Sequence, residues 1–302
     1  MNTLELLQNT PMLTIALTSL LGLCVGSFLN VVIHRTPLIM HLEHQKYGAE
    51  YWTSETTLAQ PHKDALLQYV KDQPALSLSF PPSRCPNCTH QIRWYENIPV
   101  LSWLVLQGKC SNCRTPISPR YPIVELITAV LSAVVIAIFG ATLAGGAALI
   151  LVWLLIALTG IDFDTQLLPD RLVYPLGMLG AAVNSINTFT SLNSAVWGGL
   201  LGFLVLWSVT QLYALLFKKQ GMGAGDFKLL GALGLWLGVG MLPLMVLISS
   251  VLGSVVGVIL MRRHGESRPF AFGPYIAIAG IIALLWGQTI LDWYLNLYPA
   301  NL

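Results

Sequence analysis

Five long stretches of the chain carry no charged residue: 12–33, 126–161, 172–217, 229–261 and 269–291. About 20 apolar residues cross a bilayer as one helix, so the first and last runs each fit a single span. Run 126–161 would reach roughly 54 Å as one helix, too long for a hydrocarbon core of about 30 Å. Gly140, Gly145 and Gly146 near its middle suit a tight turn, which predicts two helices there. Run 172–217 has a polar break from Asn184 to Ser194, and run 229–261 breaks near Gly240 and Pro243. The pattern predicts an all-α polytopic membrane protein with about eight transmembrane helices.

Composition points the same way. Hydrophobic residues make up 55% of the chain and charged residues only 10%, against roughly 25% charged in a soluble domain. Half of the charges fall within residues 35–122, which marks one polar domain inside a hydrophobic chain. The expected organisation is a first transmembrane helix at 1–34, a cytoplasmic loop domain at 35–122, and a membrane core of about seven helices at 123–302. The net charge of +2 offers no footprint for nucleic acid.

Eight spans place residues 35–122, 162–171, 218–228 and 262–268 on one side, and all 16 basic residues fall there. That side is cytoplasmic by the positive-inside rule. Long loops vote weakly, so Lys218, Lys219, Arg262 and Arg263 carry most of the weight. Both ends then face outside, with Glu5 and Asp292. The first run has no basic segment before it and leads straight into His34 and Arg35, which favours a retained span over a cleaved signal peptide.

Four of the five cysteines form two CxxC pairs, Cys85/Cys88 and Cys110/Cys113, with 21 residues between them. Each CxxC turn presents two thiolates on one side. Two such turns complete a closed tetrahedral shell for a structural zinc ion, a zinc-ribbon-like site. Disulfides are the competing reading, disfavoured in a cytoplasmic loop where thiols stay reduced. Cys24, in the first helix, reads as packing. Between the pairs, the segment from Arg93 to Pro99 reads as an aromatic patch at the lipid headgroups. His41, His44 and His62 read as solvated.

Acidic residues beside membrane segments are candidates for chemistry. One cluster holds Asp162, Asp164 and Asp170; the other holds Asp226 after Gly221, Gly223 and Gly225. Like charges a few ångströms apart cannot both ionise cheaply, so two carboxylates brought together would share one proton. The ionised member can deprotonate a water and the protonated member can polarise a peptide carbonyl. The glycines before Asp226 would let the backbone unwind and admit an extended substrate, and a helix N-terminus there would favour its negative charge. The plainer reading is that these are helix caps or surface acids. Asp170 after Pro169 looks like a cap, and Asp164 could pair with Arg171. Spacing alone does not bring Asp162 to Asp226.

Taken together, the motifs resemble those of the bacterial type IV prepilin peptidases, bifunctional leader peptidase/N-methyltransferases of the GxGD intramembrane aspartyl protease group. The resemblance runs over most of the chain. It rests on Gly26 to Arg35, on Ser83 to Cys88, on Glu96-Asn97-Ile98-Pro99 with Ser102-Trp103-Leu104, on Cys110 to Cys113 with Arg120 to Leu126, on the stretch from Asp162 to Asp170, and on Gly223-Ala224-Gly225-Asp226. Segment 38–80 matches least.

The resemblance implies catalytic aspartates at Asp162 and Asp226, with Asp164 the rival of Asp162. It implies cleavage of basic leaders from type IV prepilins and type II secretion pseudopilins at the cytoplasmic face of the bacterial inner membrane. The new N-terminal amine is then methylated from S-adenosylmethionine. For that second activity it points to Glu96, Asn97 and Pro99 in the loop, with Glu125 at the membrane surface. Some relatives lack the cysteine loop and only cleave; this chain keeps all four cysteines, as a bifunctional member would. No Gly-rich dinucleotide loop occurs. A proton-relaying transporter would need charges near the bilayer midplane and repeated halves, and a purely structural zinc module leaves the GxGD stretch unexplained.

Overall fold

A computed structural model describes residues 7–54, 59–72, 76–218, 222–264 and 270–297. Glu5, Lys219, Gly221 and Arg268, named above, lie outside the described residues. Helix α1 spans Pro11–Ser54 and so continues 20 residues beyond the expected limit of the first span at 34. Past Ile33 no bilayer thickness limits a helix, and Leu38 to Glu50 is rich in good helix formers. Pro37 lies inside it and removes only one backbone bond. Helix α2, Gln60–Asp72, folds back on α1, where the Tyr69 hydroxyl donates to Gln45 Oε1 at 3.3 Å. Arg171 pairs with Glu43 and ties this extension to the membrane core.

The loop module follows, with a 3-10 turn at Trp94–Asn97 and helix α3 at Leu101–Val105. Helix α4, Arg120–Phe139, stops at Gly140, whose φ of 67° favours glycine. Helix α5, Leu143–Thr165, starts where the Thr142 hydroxyl accepts the Gly145 N–H. Helices α6, Asp170–Asn184, α7, Leu192–Phe217, α8, Ala224–Leu237, α9, Leu242–His264, and α10, Gly273–Leu297, complete the core. The breaks near Gly140 and after Asn184 fall where the hydrophobic pattern puts them. The third falls at Gly238, two residues before Gly240. Among the described residues no strand forms; two isolated bridges, Arg84 with Gln91 and Lys109 with Pro116, are the only sheet-like pairings.

Among the described residues, six helices are long and apolar enough to cross a membrane by length and composition: α1, α4, α5, α7, Val239–Arg263 and α10. Helices α6 and α8 have 15 and 14 residues and reach only about 22 Å. The uncharged runs make them look longer because the runs include the connections. Helix α8 is the most enclosed element, with Leu229, Leu230, Leu233 and Trp236 fully buried. It packs backbone to backbone on α7. A Cβ on Gly198 would lie 2.4 Å from the Gly234 carbonyl oxygen, and one on Gly234 would lie 2.1 Å from that of Gly198. Such contact between small residues is how membrane helices gain dispersion energy.

A polar hub closes the end of the core away from the acidic clusters. Asn184 is fully buried. Its Nδ2 donates to the carbonyls of Leu235 and Trp236, both at 2.8 Å. Its Oδ1 accepts the N–H groups of Phe189 and Thr190 at 3.0 and 3.2 Å. The Trp236 indole N–H donates to the Leu176 carbonyl at 2.8 Å. Replacing Asn184 by Ala strands two carbonyls and two amides, so Asn184→Ala is expected to cost about 2–4 kcal/mol. A clear fall in the thermal unfolding midpoint in detergent checks this; an unchanged midpoint contradicts it.

Candidate active site

Three helix ends meet around Leu168. Asp162 lies in the last turn of α5 and is buried; its Oδ2 accepts the N–H of Gly273, the first residue of α10, at 2.9 Å. Asp226 lies in the first turn of α8, also buried, and its N–H donates to the Gly223 carbonyl at 3.2 Å. Gly225, one residue before Asp226, and Gly273, whose amide holds Asp162, both close on Leu168, so the two acids stand at one convergence of helix ends. Leu168 fills the space between the helices. A Cβ on Gly225 would lie 2.7 Å from Leu168 Cβ, and one on Gly273 would lie 3.1 Å from its Cδ1. Only glycine allows either backbone this close.

The other acids of the two clusters point elsewhere. Asp164 pairs with Arg120 at 2.7 Å, not with Arg171, and Arg120 also donates to the Gly160 carbonyl at 3.3 Å. Arg120 opens α4, so this pair joins the membrane end of the loop module to the helix that carries Asp162. Asp170 does not cap α6 through its side chain. It takes Lys228 Nζ at 2.7 and 2.9 Å, and Lys228 stands over the Tyr174 ring at 5.3 Å. Gly273 was missed in the sequence; the Gly-Pro pair opening a helix was its one local signal. Two buried carboxylates from separate helices, one held by a backbone amide, form a site suited to sharing a proton and activating water.

The four loop cysteines converge. Their sulfurs all lie within 4.8 Å of one another and could hold a metal ion; Cys85 to Cys113 is 3.7 Å and Cys88 to Cys110 is 3.9 Å. A tetrahedral shell with zinc–sulfur bonds near 2.3 Å puts sulfurs about 3.8 Å apart, whereas a disulfide needs about 2.05 Å. The two turns repeat one another. Thr89 N–H bonds the Cys85 carbonyl and Arg114 N–H bonds the Cys110 carbonyl, each at 3.0 Å, and Thr89 and Arg114 both have positive φ. Hydrogen bonds from the Thr115 hydroxyl and backbone bring the Cys113 thiol down to about 5, the direction a metal ligand requires.

An open cavity of about 530 Å³ adjoins the cysteine turns, lined by residues including His90, Arg93, Tyr95, Glu96, Ile98 and Leu101. The Arg93 N–H, then Ser111 and His90, hold the Glu96 carboxyl below the usual carboxylate range. Asn97 is exposed and is not among the lining residues. Glu125 is buried, and its Oε2 accepts the Val100 N–H at 2.7 Å. It thereby fixes the end of the Glu96–Pro99 segment to the start of the membrane core.

Comparisons with known proteins agree over the whole chain. Residues 20–139 match the bacterial peptidase A24 N-terminal domain, and residues 149–258 match the type IV leader peptidase family. A prepilin leader peptidase/N-methyltransferase of Aeromonas hydrophila is 49% identical over 299 residues, covering 97% of this chain and 98% of its own. Proteins of the same description from Stutzerimonas stutzeri and Pseudomonas aeruginosa are each 48% identical. The first covers 98% of this chain and 99% of its own length, and the second covers 97% of each. No solved structure gives a significant match.

Proposed function

This chain belongs to the type IV leader peptidase family, and on that premise we propose that it removes the leader of type IV prepilins and then methylates the new N-terminal amine. It is a multi-pass protein of the bacterial inner membrane. Type II secretion pseudopilins are a second substrate class for the same chemistry. The observation that supports the peptidase reading is the convergence around Leu168 of the three helix ends that carry Asp162, Asp226 and Gly273.

In this reading the pair holds one proton. The water oxygen bonds to the scissile carbonyl carbon while one carboxylate takes a water proton and the other gives its proton to the carbonyl oxygen. The carbon–nitrogen bond then breaks. The first carboxyl protonates the leaving amine, and a hydroxyl proton of the tetrahedral carbon returns to the second, restoring the pair. Arg120, Arg171 and Lys228 lie close in sequence or contact to these helix ends, which supports a cytoplasmic site by the positive-inside rule. A substrate with a basic leader would meet the site on that face.

Zinc is the metal that best suits four thiolates at these separations, closed and structural. The Glu96 cavity suits S-adenosylmethionine. Its size falls in the range for a drug-sized ligand; a carboxylate suits a sulfonium, Arg93 suits a carboxylate, and Tyr95 with Ile98 and Leu101 suits an aromatic base. When bound, S-adenosylmethionine supplies an electrophilic methyl group to the amine. Glu96 is the residue of this chain placed to hold it; Asn97 serves the turn that presents Glu96.

Asp162→Asn and Asp226→Asn are each expected to slow leader cleavage by about 10³-fold or more, measured on purified protein with a prepilin. Asp164→Asn is expected to keep cleavage within about tenfold, since a half-exposed ion pair contributes little. A wild-type rate in either of the first two variants would remove the dyad. Metal analysis is expected to find one zinc ion per chain, lost in Cys110→Ser together with methylation. A metal-free wild type that methylates normally contradicts the zinc assignment.

A further inference from the structure

We propose that Gly273 is a positioning residue of the peptidase site, its backbone amide fixing one oxygen of Asp162 so that the other is left to take the proton of the attacking water. The inference rests on the dyad reading above. An N–H can only donate, so the oxygen it holds at 2.9 Å acts as an acceptor and is not the one that carries a proton. Asp162 ends a helix, where the carbonyl ends of its own helix disfavour negative charge. The first turn of the 25-residue α10 faces it with the opposite polarity. Pro274 has no N–H, and Tyr275 N–H is engaged by the Phe272 carbonyl at 3.0 Å. The amide of Gly273 is therefore the donor this turn offers to the carboxylate.

The position tolerates no side chain. A Cβ on Gly273 would lie 2.6 Å from Asp162 Oδ2, closer than a carbon and an oxygen approach without a bond or a shared proton. The amide is also held from behind. Phe272 lies so close to α9 that a Cβ on Gly253 would meet its ring at 2.7 Å, and Phe270 approaches the Gly257 position at 3.4 Å. Tyr275 meets both rings edge-on, with centroids 6.0 and 6.1 Å away. Helix α9 supplies neither aspartate, yet through these two rings it sets where the Gly273 amide stands. The Gly253 and Gly257 face of α9 is thus a seat for the strap Phe270–Gly273.

The test uses the full-length protein in detergent with a prepilin, reading kcat and KM of cleavage and the thermal midpoint. Gly273→Ala is expected to lower kcat about 100-fold with KM within about threefold, the size of effect that a misplacement of about 1 Å produces. Gly253→Ala, one contact further away, is expected to lower kcat about tenfold. Adding Phe272→Leu should restore Gly253→Ala to within about threefold of wild type. A wild-type kcat in Gly273→Ala, or a loss confined to KM, overturns the inference. If Gly273→Ala proves too unstable to assay, the pair of variants at Gly253 and Phe272 decides, and failure of the rescue overturns it. Asp162→Asn, run alongside, separates the two claims. An active Asp162→Asn removes the dyad, whereas an inactive Asp162→Asn with a normal Gly273→Ala removes only the role of Gly273.

Discussion

Burying a carboxylate among apolar helices costs several kcal/mol unless neighbouring groups compensate it. Most of the core around residues 160–275 can be understood as arranged against that cost. The glycines at 225 and 273 let two helix starts come up to the end of a third, and Leu168 closes the gap between them. One carboxylate gains a backbone amide; the other lies in the first turn of α8, where the helix dipole favours it. In the proposed dyad the remaining conflict is between the two charges themselves, which a shared proton would relieve. The same arrangement that makes the burial tolerable makes the pair chemically useful.

That geometry needs α8 to be rigid, since it carries Asp226 in its first turn. Its glycine face on α7 and the Asn184 hub at its far end supply the rigidity. The loop module is joined to the same region by separate polar links. Arg120 reaches Asp164 and Gly160 beside the helix end that carries Asp162, and Glu125 holds Val100. Arg35, buried just past the uncharged run of the first helix, donates to the carbonyls of Ser77, Leu78 and Pro81 just before the first cysteine turn. One exposed ion pair adds little stability, but together with these hydrogen bonds at one seam it fixes orientation. A chain that cleaves and then methylates one terminus benefits from a fixed relation between its two sites.

What could be read in the sequence was what depends on local pattern. Uncharged runs located the helices, and glycine or polar breaks at Gly140 and after Asn184 divided them. Cysteine spacing announced that the four loop cysteines would cluster. What could not be read depended on distant partners or on lengths the pattern blurs. Nothing near Arg120 says that it will meet Asp164, and nothing near Gly273 says that its amide will meet Asp162, 111 residues away. The first helix ran on to Ser54 because hydropathy reports the bilayer and not the helix. Helices α6 and α8 are shorter than the uncharged runs that hold them because those runs include apolar connections. Nor does the sequence show that Glu96 lines the cavity while its neighbour Asn97 does not.

The claim on which the rest depends is that Asp162 and Asp226 face one another while Asp164 does not. Short thiol cross-linking tests it without relying on activity. Paired variants Asp162→Cys with Asp226→Cys, and Asp164→Cys with Asp226→Cys, would be treated in membranes with a bifunctional reagent a few ångströms long. Cross-linked peptides would then be counted by mass spectrometry. The structure requires efficient linkage of the first pair and little of the second. Equal linkage of both pairs, or none of the first, would contradict the account.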